Sequence, residues 1–214
     1  MQWNDHSRDI PEGSHAFLSP SKYSWINYSK DQLISAYVRS WLPTIGTLTH
    51  EFAKDHIKYG YKLVKSDRKE LSIHLLKNGV PNFVVDNIDI CSLFENLQNY
   101  VNDAIGYRMR PEQPLKYSEN CFGTADAISF DEDKKKLRIH DLKTGVTPAS
   151  LHQLEIYTAL CCMEYDIKPG DVDIELRIYQ NNDILVGLPT AEDVVPVIDK
   201  IETANNVITS CMEV

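Results

Sequence analysis

FGTADAISFDEDKKKLRIHDLKTG, residues 122–145, is the stretch on which the reading of this chain turns. FGTADAISF (122–130) and KLRIHDLKTG (136–145) are strand-like, and the polar DEDKKK between them predicts a hairpin. A turn between Asp133 and Lys134 gives cross-strand partners whose numbers sum to 267. Phe130 then faces Leu137, Ile128 faces Ile139, Asp126 faces Asp141, and Thr124 faces Lys143. Residues two apart on a strand share a face. One face is therefore apolar near the turn and ionic at its far end. A register shifted by one would set Ile128 against His140, so the apolar match selects the first register.

In that register Asp126 and Asp141 lie directly opposite, with Cβ atoms about 4.5–5.5 Å apart. Two like charges at such a distance destabilise a sheet unless something sits between them. A divalent cation removes the conflict, and carboxylate oxygens without thiolates favour Mg²⁺ or Mn²⁺. Lys143 lies on the same face, one pleat beyond Asp141. A lysine there can orient metal-bound water, share its proton, or stabilise charge on a phosphate. Such parts suffice for phosphodiester hydrolysis. The alternative is a solvated hairpin end where Lys143 bridges the two aspartates. Gly123 and Gly145 bracket the cluster and permit close approach of backbone or ligand. The helix expected next carries Gln153 and Tyr157, neighbours at i, i+4.

Outward from the hairpin, the N-terminal side reads as helical. SPSK (19–22) opens a short helix with a serine cap and Pro20 in its first turn. SKDQLISAYVRSWL (29–42), IGTLTHEFAKDHIKYGYKL (45–63) and CSLFENLQNYVNDAIGY (91–107) read as longer helices, with Pro43 interrupting after the first. LSIHLL and FVVDNIDI, between residues 67 and 90, read as one or two short strands. On the C-terminal side, SLHQLEIYTALCCMEY (150–165) is a helix. DVDIELRIYQ and DILVGLP flank Asn181-Asn182 as a second hairpin, and Thr190 starts a final amphipathic helix with Glu192 and Asp193 in its first turn. This order predicts one α/β or α+β domain over residues 1–214, with a central mixed sheet, flanking helices and an N-terminal helical part.

The 214 residues carry a formal net charge of −9, unlike a protein that coats DNA through many phosphate contacts. The charge is uneven, however. HIKYGYKLVKSDRK (56–69) is basic with interleaved tyrosines, and Arg108 and Arg110 form a smaller cluster. No apolar run has the length of a membrane span. The polar N-terminus shows no secretory signal pattern. The five cysteines include no CxxC pair, and Cys161 and Cys162, inside the apolar TALCCMEY, read as small buried hydrophobes in a reducing, cytoplasmic compartment. There is no P-loop, which argues against an NTPase.

GTAD (123–126), DLKTG (141–145) and QLEIY (153–157), in that order, resemble the RecB-like branch of the PD-(D/E)XK nuclease superfamily, which includes phage recombination exonucleases. The hallmarks are GxxD, (D/E)xK and a downstream QxxxY, with a helical histidine before them. Here that histidine matches His50 in GTLTHEFA (46–53). LSPSKYSWI (18–26) also resembles the start of phage-encoded members, so the likeness covers roughly residues 17–180. It implies a restriction-endonuclease-like fold and a Mg²⁺- or Mn²⁺-dependent DNA exonuclease acting in phage recombination or replication. Asp126, Asp141, His50 and the Leu142 carbonyl would hold metal, Lys143 would activate or position water, and Gln153 and Tyr157 would hold the nucleic acid strand. An endonuclease of the same chemistry and a non-catalytic nucleic-acid-binding module are the alternatives. The late cysteine spacing departs from that of cluster-bearing relatives, so no iron–sulfur cluster is expected. DNA is the expected partner; a homo-oligomer or a phage recombination partner is left open. If phage-encoded, the protein belongs in the host cytoplasm. On its own helix His50 lies about 200° from Leu48, His56 competes with it, and His140 falls on the hairpin's other face.

Overall fold

In the computed structural model, which describes residues 4–6, 8–10 and 14–212, the chain divides into two compact units, residues 1–41 and 42–214. In the first unit a 3-10 helix spans Pro20–Asn27, opened by Ser19, whose hydroxyl accepts from the Ser21 amide. Helix α1 spans Lys30–Ser40. Its start is a capping box: the Ser29 hydroxyl accepts from the Gln32 amide, and the Gln32 side chain accepts from the Ser29 amide. Phe17, Tyr37 and Trp41 pack edge to face in series, with ring centroids 5.3 and 6.5 Å apart.

The second unit is an α/β fold with a five-stranded mixed sheet and flanking helices. Helix α2 runs Leu42–Tyr59. Pro43 sits in its first turn, where a missing N–H costs nothing. Helices α3 (Arg68–Lys77) and α4 (Asn82–Asp86) follow. These occupy the stretch expected to hold strands, which is a correction. In α3 the buried pair Leu71 and Leu75 is spaced i, i+4, so the apolar run has helical rather than strand period. Helix α5 covers Ile90–Gly106, with the Asp89 carboxylate accepting from the Ser92 amide at its start.

The sheet comprises β1 (Arg110–Ser118), β2 (Cys121–Asp131), β3 (Lys136–Leu142), β4 (Asp173–Gln180) and β5 (Asp183–Gly187), in that spatial order. Helix α6 (His152–Glu164) is the crossover between the parallel pair β3 and β4; the other pairs are antiparallel. Helix α7 (Ala191–Met212) closes the unit. Its start is tied by Asp193, whose carboxylate accepts from both the amide and the hydroxyl of Thr190. The Asn181-Asn182 turn has both residues at positive φ, +52° and +60°, as a two-residue hairpin turn requires.

Along β3 and β4 alternate residues go to opposite faces. Leu137, Ile139, Ile174, Leu176 and Ile178 join Leu154, Leu160 and Cys161 of α6 and Val194 of α7 in one core. The other face carries ionic groups against α5. There Arg177 bridges Asp103 (2.9 Å) and Glu175 (2.8 Å), and the Tyr179 hydroxyl donates to Asp103 (2.6 Å). His140 is fully buried in this group, with Nδ1 3.2 Å from the Tyr179 hydroxyl. Burial, with Arg177 adding, pushes its pKa down to about 3, so it is neutral and structural.

Candidate active site

The hairpin of β2 and β3 has the expected register: Phe130 pairs with Leu137 and Ile128 with Ile139. The ladder stops at Ala127 and His140. The pairing expected beyond it, Asp126 with Asp141 and Thr124 with Lys143, does not form. Instead the Asp126 carboxylate accepts from the Leu142 amide (3.0 Å), and the Lys143 amide bonds the Tyr179 carbonyl of β4 (3.0 Å). The end of β3 thus follows β4, while Asp126 on β2 has β1 as its strand neighbour.

Two other elements bring side chains to Asp126. His50 of α2 sets its Nδ1 3.4 Å from Asp126 Oδ2. Leu48, Thr49, Phe52 and Ala53 are buried on the same helix, which leaves His50 half-exposed at the edge of the buried face. Glu112 of β1 has one carboxylate oxygen within a group whose ligand atoms, with His50 and Asp126, all lie within 4.8 Å of one another. Sequence reasoning missed Glu112 because Pro111 and Pro114 obscured β1. Proline cannot donate to a ladder, but β1 is an edge strand and tolerates it. The β1–β2 register sums to 238 and would place Glu112 opposite Asp126. Glu112 takes φ +50° there, the left-handed region, a conformation that persists in a strand only where surroundings impose it.

Asp141 is 2% exposed. Its Oδ1 accepts from Lys143 Nζ at 3.0 Å, and Lys143 Nζ also donates to Gln153 Oε1 of α6 at 2.8 Å. The second oxygen, Asp141 Oδ2, is buried without a hydrogen-bond partner. A buried carboxylate oxygen left in that state is costly unless a cation or donor meets it. Lys143 therefore bridges Asp141 to Gln153, not to Asp126. Tyr157 lies one turn beyond Gln153 and packs on Gly123: a Cβ built there would stand 2.9 Å from Tyr157 Cε1 and 3.2 Å from its hydroxyl. Gly46 of α2 plays a similar part, since a Cβ would lie 2.9 Å from Thr144 Oγ1. Nothing approaches Gly145 in this way. His56 turns aside: its Nδ1 pairs with the Phe52 carbonyl at 2.7 Å and its ring stacks on Phe52.

Gly123→Ala should force the Tyr157 ring away. Overpacking of this kind costs about 1–2 kcal/mol, a fall of roughly 2–8 °C in melting temperature for a chain of this size. Thermal melts check it; an unchanged melting temperature would mean the ring is not held by that contact.

Burial pushes the Asp126 carboxyl up to about 6, with the negative charges of Asp141 and Glu112 adding; His50 and the Leu142 amide oppose the shift. The donor set is one imidazole and two carboxylates, His50, Glu112 and Asp126, and it contains no thiolate; Asp141, with its orphaned oxygen, acts on Asp126 through its charge. That chemistry fits a hard divalent cation such as Mg²⁺ or Mn²⁺. A cleft of about 570 Å³ opens over it, lined by Gly46, His50, Glu51, Lys54, Glu112 and Asp126 among others. Among the described residues no helix is long and apolar enough to cross a membrane. Cys161 and Cys162 are buried in α6, and burial raises their thiols to about 12 and about 11. Neither a scan against models of known protein families nor a search of curated proteins finds a match to this chain.

Proposed function

We propose that this chain is a Mg²⁺- or Mn²⁺-dependent DNA nuclease, an exonuclease of the RecB-like PD-(D/E)XK type with a restriction-endonuclease-like fold. The observation that carries the reading is the meeting of His50, Asp126, Asp141, Lys143 and Gln153 from separate elements at the end of β2 and β3. A purely structural salt bridge would not call for the buried, unpartnered Asp141 Oδ2 beside a carboxyl already raised by burial.

His50, Glu112 and Asp126 would hold the cation, with Asp141 and the Leu142 carbonyl further donors by resemblance. When bound, the cation supplies a lowered pKa for water and polarises a phosphoryl oxygen. Asp141 and Gln153 fix the Lys143 ammonium. That fixed charge orients the attacking water and stabilises negative charge as the phosphorus–oxygen bond breaks. Tyr157, packed on Gly123, and Gln153 shape the wall on which a strand would lie. A phage origin and a role in recombination or replication accord with the resemblance.

Incubation with linear and with covalently closed circular DNA, in Mn²⁺ and in EDTA, tests the reading. Linear DNA should be degraded in Mn²⁺ alone and the closed circle spared. Cleavage of the circle would favour an endonuclease of the same chemistry. No cleavage of either, at saturating Mn²⁺, would favour a non-catalytic nucleic-acid-binding module.

A further inference from the structure

Helix α2 leads away from the site, and its far end carries a feature that the cation chemistry does not use. Tyr59 and Tyr61 are 62% and 67% exposed, with ring centroids 6.3 Å apart and planes inclined by 36°. Single exposed aromatic residues are ordinary, but two side by side offer a contiguous aromatic surface. This pair is also held in place. Gly60, at φ +71°, ends α2 in a Schellman motif: the Tyr61 amide bonds the His56 carbonyl (2.9 Å) and the Gly60 amide bonds the Ile57 carbonyl (3.2 Å). Two residues on, Leu63 is buried. Its amide donates to Asn102 Oδ1 (2.8 Å), and its carbonyl accepts from Asn102 Nδ2 (2.9 Å) and Gln98 Nε2 (3.1 Å) of α5. The segment is thus clamped on both sides of Tyr61.

The charge around the rings is opposite to that of the chain. Residues 54–69 hold six Lys and Arg against two Asp, a local excess of four cations on a protein of net charge −9. Lys58 lies 5.5 Å from the centre of the Tyr59 ring. His50, Lys54 and Lys58 follow one another at i, i+4, i+8, on one face of α2. Lys54 lines the same cleft as His50, Glu112 and Asp126. From His50 to Lys58 the helix rises about 12 Å, a length that spans about two nucleotides of an extended strand.

We propose that Tyr59 and Tyr61 are a stacking platform for the bases of single-stranded nucleic acid, with Lys54, Lys58 and Lys62 tracking its phosphates toward the candidate active site. Stacking surfaces beside a basic groove bind single strands without reading their sequence. Exposed rings suit unpaired bases, because bases in a duplex have no free face to offer. This rests on the nuclease reading for the direction of the strand, though not for its binding.

The test is fluorescence anisotropy of a labelled oligo(dT) 12-mer with the full chain in EDTA, so that no cleavage intervenes. The Tyr59→Ala/Tyr61→Ala protein should bind about ten-fold or more weakly than wild type. Tyr59→Phe/Tyr61→Phe should bind as wild type, and affinity for a duplex of the same length should be unmoved by either change. Lys58→Glu/Lys62→Glu should weaken binding and flatten its salt dependence. Circular dichroism controls for folding, and if the double-alanine protein unfolds, the single variants Tyr59→Ala and Tyr61→Ala decide, each expected to weaken binding of oligo(dT) and not of duplex. Oligo(dT) affinity unchanged by loss of both rings, or equal loss for duplex, overturns the platform. Loss of cleavage with intact platform binding, or the reverse, separates the two proposals.

Discussion

If the chain is the proposed nuclease, Lys143→Ala should lower Mn²⁺-dependent cleavage of linear DNA by about a thousand-fold or more and leave the protein folded. Loss of one fixed charge that stabilises a transition state costs roughly 10²–10³-fold, and loss of help with proton transfer costs roughly 10²–10⁴-fold. Under the proposed reading Lys143 would do both, with its ammonium held by Asp141 at 3.0 Å and Gln153 at 2.8 Å. The substitution also strips the buried Asp141 carboxylate of its counter-charge. In EDTA the melting temperature should therefore fall by a few degrees, since the lysine is one-third exposed and the pair partly screened. Mn²⁺ should restore most of that loss by supplying charge to the same carboxylate. Cleavage at the wild-type rate would contradict the role given to Lys143.

Asp126→Asn has the opposite sign on stability. Burial raises the folded-state pKa of Asp126 from 3.8 to about 6. For an acid raised on folding, the stabilising contribution is complete below the unfolded value and disappears as pH rises through the folded one. Without a divalent cation, the wild type thus loses stability through this group between about pH 4 and pH 6. The gap corresponds to about 2–3 kcal/mol. At pH 7.5 in EDTA, Asp126→Asn should melt about 4–12 °C above wild type. The difference should vanish near pH 4, where both side chains are neutral. Saturating Mn²⁺ should raise wild type and leave the variant little changed, because a cation that binds only the folded protein stabilises it by mass action. A wild-type melting temperature equal to or above that of the variant at pH 7.5 in EDTA would count against the strained carboxyl.

The hairpin register was legible because a shift by one would set Ile128 and Phe130 against His140 and Arg138, whereas the turn between Asp133 and Lys134 pairs them with Ile139 and Leu137. The Asn181-Asn182 hairpin and the helices over 29–42, 91–107 and 150–165 were legible from period and turn chemistry. Three features were not. In α3, Ser72 and His74 between the leucines imitate strand alternation, and only burial of Leu71 with Leu75 reveals the helix. The prolines of β1 hid an edge strand, and with it Glu112. The hairpin's open end was extrapolated as a regular ladder, whereas Asp126 takes the Leu142 amide and Lys143 continues along β4. Local pattern specifies the paired part of a hairpin; where its strands part, tertiary neighbours decide. His50 illustrates the same limit, since helical period puts it off the buried face and only the fold sets it 3.4 Å from Asp126.

The most direct measurement is a crystal of the full chain soaked in Mn²⁺ and examined by anomalous diffraction. A manganese peak coordinated by the Asp126 carboxylate, with His50, Glu112 or Asp141 among its other ligands, is the predicted result. No peak at Asp126 under saturating Mn²⁺, with Lys143 still joined to Asp141 and Gln153, would contradict a metal-dependent active site at this end of the sheet.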